Sequence, residues 1–192
     1  MAATIYDAIE MTLHACGGTI TGKLAMQKLL YFQAQRIPGL GIRDYRALHY
    51  GPYSGGLAGA LVDLSSFVLI YVDMASWSNN GFVYRLTEDG RECAEAAVSE
   101  HGVTYGVISE IVKECRSHCG LRSEPLYHAA MLHFAAARRG AAGRDCSPAE
   151  AARMAGGLGW DMTGSEAEDG MRLLRSLGLA GGSGTPRPDP AR

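Results

Sequence analysis

The chain has 192 residues, 47% of them hydrophobic and 20% charged. That is the composition of a globular protein with its own core, and at roughly 150 residues per domain it allows one domain or two small ones. A net charge of -2 and a pI near 6.3 remove any global attraction to nucleic acid or to an anionic membrane. No apolar run is long enough to span a bilayer, and the N-terminal residues lack the basic and apolar regions of a signal peptide. Five irregularly spaced cysteines do not make a secreted disulfide framework. The expectation is a cytoplasmic protein with reduced thiols and no membrane partner.

In chain order, Ile5, Ile9, Thr12, Leu13 and Cys16 fall at helical spacing, so a first helix is expected over residues 3–16, stopped by Gly17 and Gly18. Thr19-Ile20 reads as a short extended piece. Thr21 is placed to cap a second helix from Gly22 to Gln35. Its apolar positions Leu24, Met26, Leu29, Leu30 and Tyr31 cover a wide arc, leaving Lys23, Gln27 and Lys28 to face outward. Residues 36–46, with Pro38 and two glycines, read as a loop, and Ala47 to Tyr50 as a short strand. Gly51-Pro52 signals a turn, and Ser54 an N-cap for a third helix through Ser66 with Leu57, Leu61 and Leu64 on one face.

Phe67 to Val72 is a strand by its β-branched and aromatic content. Asn79-Asn80-Gly81 is a hairpin-turn signal, and Phe82 to Leu86 the returning strand. Thr87 caps a further helix with Glu88 and Asp89 in its first turn, where the helix dipole favours acids. The second half is helical. Ile108, Ile111, Val112, Cys115 and Cys119 form one stripe, and Leu126, Ala130, His133, Phe134 and Ala137 another. Ser147-Pro148-Ala149-Glu150 and Thr163-Gly164-Ser165-Glu166 are capping boxes. The glycine- and proline-rich tail is expected to be disordered.

The fold class read from this order is mainly α with a small β-hairpin. It comprises a winged-helix-like domain over residues 1–102, a C-terminal helical bundle segment over 103–180 packed on it, and a tail over 181–192.

Three segments together resemble the YwgA-like prokaryotic proteins and, more distantly, the antitoxin SocA-type domain. They are Leu24 to Gln33, near that group's Leu-Gln-Lys-Leu-hydrophobic-Tyr helix but with Ala25-Met26 inserted before Gln27; His49-Tyr50-Gly51-Pro52-Tyr53-Ser54; and Tyr84 to Gly90, matching a Tyr-x-Leu-Thr-x-x-Gly exit from the wing. Tyr127 to His133 and Leu173 to Leu179 are similar more loosely. The resemblance implies a winged-helix-like fold and a role in regulation, toxin neutralisation or protein contact. It carries no catalytic residues.

The leading functional expectation is a non-enzymatic protein that binds another protein through Tyr50, Tyr53, Leu57 and Trp77. Aromatic side chains give large contact area at low entropic cost. The alternative is a DNA-binding regulator with Lys23, Lys28, Arg43 and Arg46 on phosphates, for which a homodimer reading paired half-sites would be natural. Against it, residues 54–66 contain no basic or amide side chain to read base edges, and Asp63 would be repelled by phosphate. Net charge is +3 over residues 17–66 and -4 over 67–102, enough for one weakly basic face.

Cys115, His118 and Cys119, with His128 and His133 downstream, raise a metal site and with it a metal-dependent hydrolase. Their spacing is not a familiar zinc pattern, and the two cysteines continue an apolar stripe. No nucleophile elbow, phosphate loop or dinucleotide fingerprint occurs, so no catalytic residue and no cofactor is assigned.

Overall fold

The computed structural model describes residues 2–74, 81–140 and 146–181. Among them the chain is mainly helical with a small amount of antiparallel sheet. Helix α1 (Ile5–Ala15) begins in a capping box between Thr4 and Asp7 and ends where Gly17 and Gly18 take positive φ. Strand β1 (Thr19–Thr21) leads into α2 (Lys23–Arg36). Gly22 occupies the N-cap position and makes no side-chain bond, because Thr21, expected to cap, is held in β1 opposite Val83.

After the loop over 37–45 comes a tight ribbon, β2 (Arg46–Leu48) paired with β3 (Gly51–Tyr53). The sequence placed the reversal at Gly51-Pro52. It lies at His49-Tyr50, closed by Gly51 at φ 85°, a geometry open to glycine. Helix α3 (Gly55–Ser66) starts at Ser54, whose hydroxyl accepts from the Leu57 N–H.

The strand expected from Phe67 begins three residues later, as β4 (Ile70–Met74). Residues 67–69 instead close α3: Phe67 N–H bonds the Asp63 carbonyl, Leu69 N–H bonds that of Leu64, and Val68 lies at φ 59°. Strand β5 (Phe82–Leu86) pairs with β4 on one side and β1 on the other, giving the order β1-β5-β4. A third strand thus joins the expected hairpin. Asn79 and Asn80 of the turn signal, and the tail beyond Gly181, lie outside the described residues.

Helices α4 (Glu88–Glu100), α5 (Gly102–Cys119), α6 (Ser123–Arg138), α7 (Pro148–Gly156) and α8 (Gly164–Ser176) follow among the described residues. Thr87, Ser147 and Thr163 cap as the sequence indicates. Helix α6 is central to the second half, packing on α2, β3, α7 and α8, while α5 packs on α1 and α2. One buried cluster runs through both halves, from Ile9, Leu29 and Leu30 to Ile111, Leu126, Leu132 and Leu174. No helix among the described residues is long and apolar enough to cross a membrane.

Candidate functional site

The polar face of α2 turns inward, contrary to the sequence expectation for Gln27 and Lys28. Both are fully buried. The Gln27 amide grips the backbone of Ser54 from both sides, donating Nε2–H to its carbonyl and accepting from its N–H, each at 3.0 Å. Lys28 Nζ donates to the Pro52 carbonyl at 2.6 Å. Two consecutive helix residues therefore fasten the Gly51-Pro52-Tyr53-Ser54 segment. The Ser54 carbonyl also accepts from the Ala58 N–H of α3, whereas the Ser54 N–H and the Pro52 carbonyl are satisfied by these side chains. With no carboxylate paired to it among the described residues, Lys28 is left to burial, which lowers its pKa to about 7.

Asp44 secures the other side of the same segment. It accepts from the Ser54 hydroxyl at 2.5 Å and from the Gly56 N–H at 2.8 Å. Partial burial opposes its charge, but these donors outweigh it and hold the carboxyl below the usual range. A Cβ at Gly56 would meet the Asp44 carboxylate at 3.4 Å. The close approach that the glycines of α3 permit is thus used at Gly55 and Gly56 by Asp44 of the same chain, while Gly59 faces open space.

Two grooves lie above this scaffold. One, of about 440 Å³, is walled by Lys23, Leu24 and Lys28 on α2 and by the ribbon residues Leu48, His49, Tyr50 and Tyr53. The other, of about 270 Å³, runs between α3 and the sheet, with Leu61 and Val62 on one wall and Val72, Phe82 and Tyr84 on the other. Lys23 lines both, its ammonium 5.6 Å from the centre of the Tyr53 ring. The walls carry exposed apolar side chains: Leu48, Tyr50 and Val62 are at least half exposed, and Val72 and Phe82 more than a third. Tyr50 leans on Tyr127, centroids 5.8 Å apart, and Tyr127 on His128 at 4.5 Å. His128 lies 3.9 Å from Glu166.

Of the residues expected to contact a protein, Tyr50 is exposed and Tyr53 half-buried, whereas Leu57 is fully buried in the core and is removed from that set. Trp77 lies outside the described residues. Of the residues expected on phosphates, Arg43 and Arg46 are exposed and Lys23 is half-buried against Tyr53. Lys28 cannot reach a phosphate from its buried position and is likewise removed. Periodicity missed Gln27 and Lys28 because it equates polar with exposed; their partners lie more than 20 residues away in sequence and leave no local signal.

Cys115, His118 and Cys119 do not converge. The two thiols point into the core, Cys119 Sγ–H donating to the Cys115 carbonyl at 3.1 Å, and burial pushes both thiol pKa values up. His118 lies on the surface 3.9 Å from Glu114. His128 and His133 are on another helix, where His133 Nδ1 meets the Tyr31 hydroxyl at 2.7 Å. Among the described residues no group of three or more metal-ligating side chains gathers.

No model of a known protein family matches this sequence, and no curated protein matches it.

Proposed function

We propose that the chain is a non-enzymatic, winged-helix-like protein that binds a partner protein in a regulatory or antitoxin-like role. The observation that carries this reading is the pair of apolar grooves that meet at Lys23 and are lined by exposed Leu48, Tyr50, Val62 and Phe82. Exposed apolar surface of this kind, bordered by polar residues, marks protein contact sites. The order α1, β1, α2, α3, β4, β5 supports the winged-helix reading. Two of the segments that carry the resemblance to YwgA-like and SocA-type proteins bond to each other, Gln27-Lys28 onto Pro52 and Ser54, beside the larger groove.

The exposed side of α3 weighs against base readout. It presents Val62, Asp63 and Ser66, and Asp63 accepts a hydrogen bond from the Tyr6 hydroxyl at 2.9 Å. A recognition helix needs long donors at these positions.

The test is recovery of partners from native extract on the wild-type chain and on a Tyr50→Ala/Val62→Glu variant, with nuclease treatment and a high-salt wash. Tyr50 is 50% and Val62 63% exposed, so the variant should fold with an unchanged circular dichroism spectrum. The expected result is one stoichiometric protein that survives nuclease and salt and is absent from the variant. Recovery of DNA that is lost at high salt would replace this reading with the regulator.

A further inference from the structure

A third cavity, of about 520 Å³, lies away from these grooves, where the loop over 37–45 faces the C-terminal ends of α2 and α6. Its character differs from theirs. Tyr31, Tyr45 and Phe134 supply aromatic wall, and Gln35, Arg43 and Arg138 supply polar wall. No acidic residue lines it. Asp44, between two lining residues, turns its carboxylate to Ser54 and Gly56.

Neither arginine is ion-paired with a carboxylate among the described residues. Arg138 sits over the Phe134 ring at 5.9 Å, and Arg43 is exposed. The second observation is the Tyr45 hydroxyl. It is buried and has no hydrogen-bond partner among the described residues. The neighbouring Tyr31, whose ring meets that of Tyr45 edge-on at 5.0 Å, has already committed its hydroxyl to His133. Buried hydroxyls are nearly always satisfied, so an orphan at a cavity wall asks for a partner that the protein does not provide.

We propose that this cavity binds a small organic oxyanion, a carboxylate or phosphate carried on a flat unsaturated ring. The ring packs against the tyrosine and phenylalanine faces. The oxyanion pairs with Arg43 and Arg138, whose planar guanidinium groups match such anions with two parallel hydrogen bonds. The Tyr45 hydroxyl, closed to solvent in the free protein, donates to the ligand after a shift of its side chain. The cavity's volume falls in the range of small-molecule sites.

The experiment is calorimetric titration of the full chain with benzoate and with phenyl phosphate, and with benzamide and phenol as uncharged counterparts. One or both anions should bind with sub-millimolar affinity, the tighter of the two identifying the source of the oxyanion, and the uncharged rings should not. Arg43→Met and Arg138→Met should each weaken binding by about tenfold. Tyr45→Phe should weaken it too, while leaving the melting temperature of the free protein unchanged or higher, because that hydroxyl has no bond to lose. A hydroxyl with a purely structural bond would give the opposite: a lower melting temperature and unaltered binding. No heat with either anion up to about 10 mM, equal binding of the uncharged rings, or arginine variants that bind like wild type would overturn the proposal.

Discussion

Lys28 shows how one residue's surroundings become a property of the whole protein. Burial depresses its folded-state pKa from 10.5 to about 7. In the unfolded chain the ammonium keeps its proton up to the ordinary lysine range, so between about pH 7 and 10.5 the unfolded state binds more protons than the folded one. Stability tied to Lys28 therefore rises with pH across that window, and its penalty is largest below it. Glu10 acts in a separate window. Burial, reinforced by Asp7, raises its pKa to about 7 from 4.5. The folded state then holds the extra proton between those values, and stability falls as pH rises through them.

Comparing wild type with Lys28→Met isolates the first effect. In urea unfolding, the difference should move in favour of wild type as pH increases from 7 toward 10, by at most about 1.4 kcal/mol per pH unit. A difference independent of pH would mean that Lys28 stays charged in the fold.

Among the elements, the joint between α3, β4 and α4 is the most constrained. The Leu69 carbonyl accepts from the Thr87 N–H at 3.1 Å and the Thr87 hydroxyl at 3.2 Å, and the same hydroxyl caps α4 by accepting from the Gly90 N–H at 2.9 Å. Gly90 lies against that carbonyl so closely that a Cβ would collide with it. Gly90→Ala should cost about 3 kcal/mol, the upper range for overpacking, although alanine ordinarily favours a helix over glycine. Chemical denaturation reads this directly, and a neutral or stabilising result would place α4 differently.

Four of the local caps were legible in the sequence, while the cap expected at Thr21 was not formed and the Thr4–Asp7 box was missed. The caps at Ser54, Thr87, Ser147 and Thr163 depend on residues three positions apart, and the structure has all of them. What was not legible depends on distant partners or on a reversal. Phe67-Val68-Leu69 has strand composition, yet the chain has to turn back from α3 and places Val68 at positive φ to do so, a conformation β-branched residues rarely adopt. In the same way, the buried Gln27 and the orphaned Tyr45 are ordinary polar residues until the loop that covers them is in place.

At the scale of the molecule, the sequence suggests a helical segment over 103–180 packed on residues 1–102, and one buried cluster holds residues of both. Helix α6 lies against both α2 and β3, so the two elements that wall the larger of the proposed partner grooves are backed by the second half. The chain should accordingly unfold in one step. Calorimetric and van't Hoff enthalpies should agree, and a ratio well above one would reveal two independently melting parts.

Trp160 extends that coupling to the contact surface itself. It is 4% exposed, packs edge-on against Phe134 with centroids 5.9 Å apart, and donates its indole N–H to the Leu48 carbonyl at 2.8 Å. Leu48 is the last residue of β2 and forms part of the rim of the groove beside Tyr50. The chain has two tryptophans, so replacing Trp77 with phenylalanine leaves one indole, fastened to the ribbon from behind. Its emission colour is then a built-in optical gauge. A ligand that lifts the ribbon would break the indole's bond and shift the fluorescence, whereas one that settles onto the ribbon unmoved would leave the spectrum where it was.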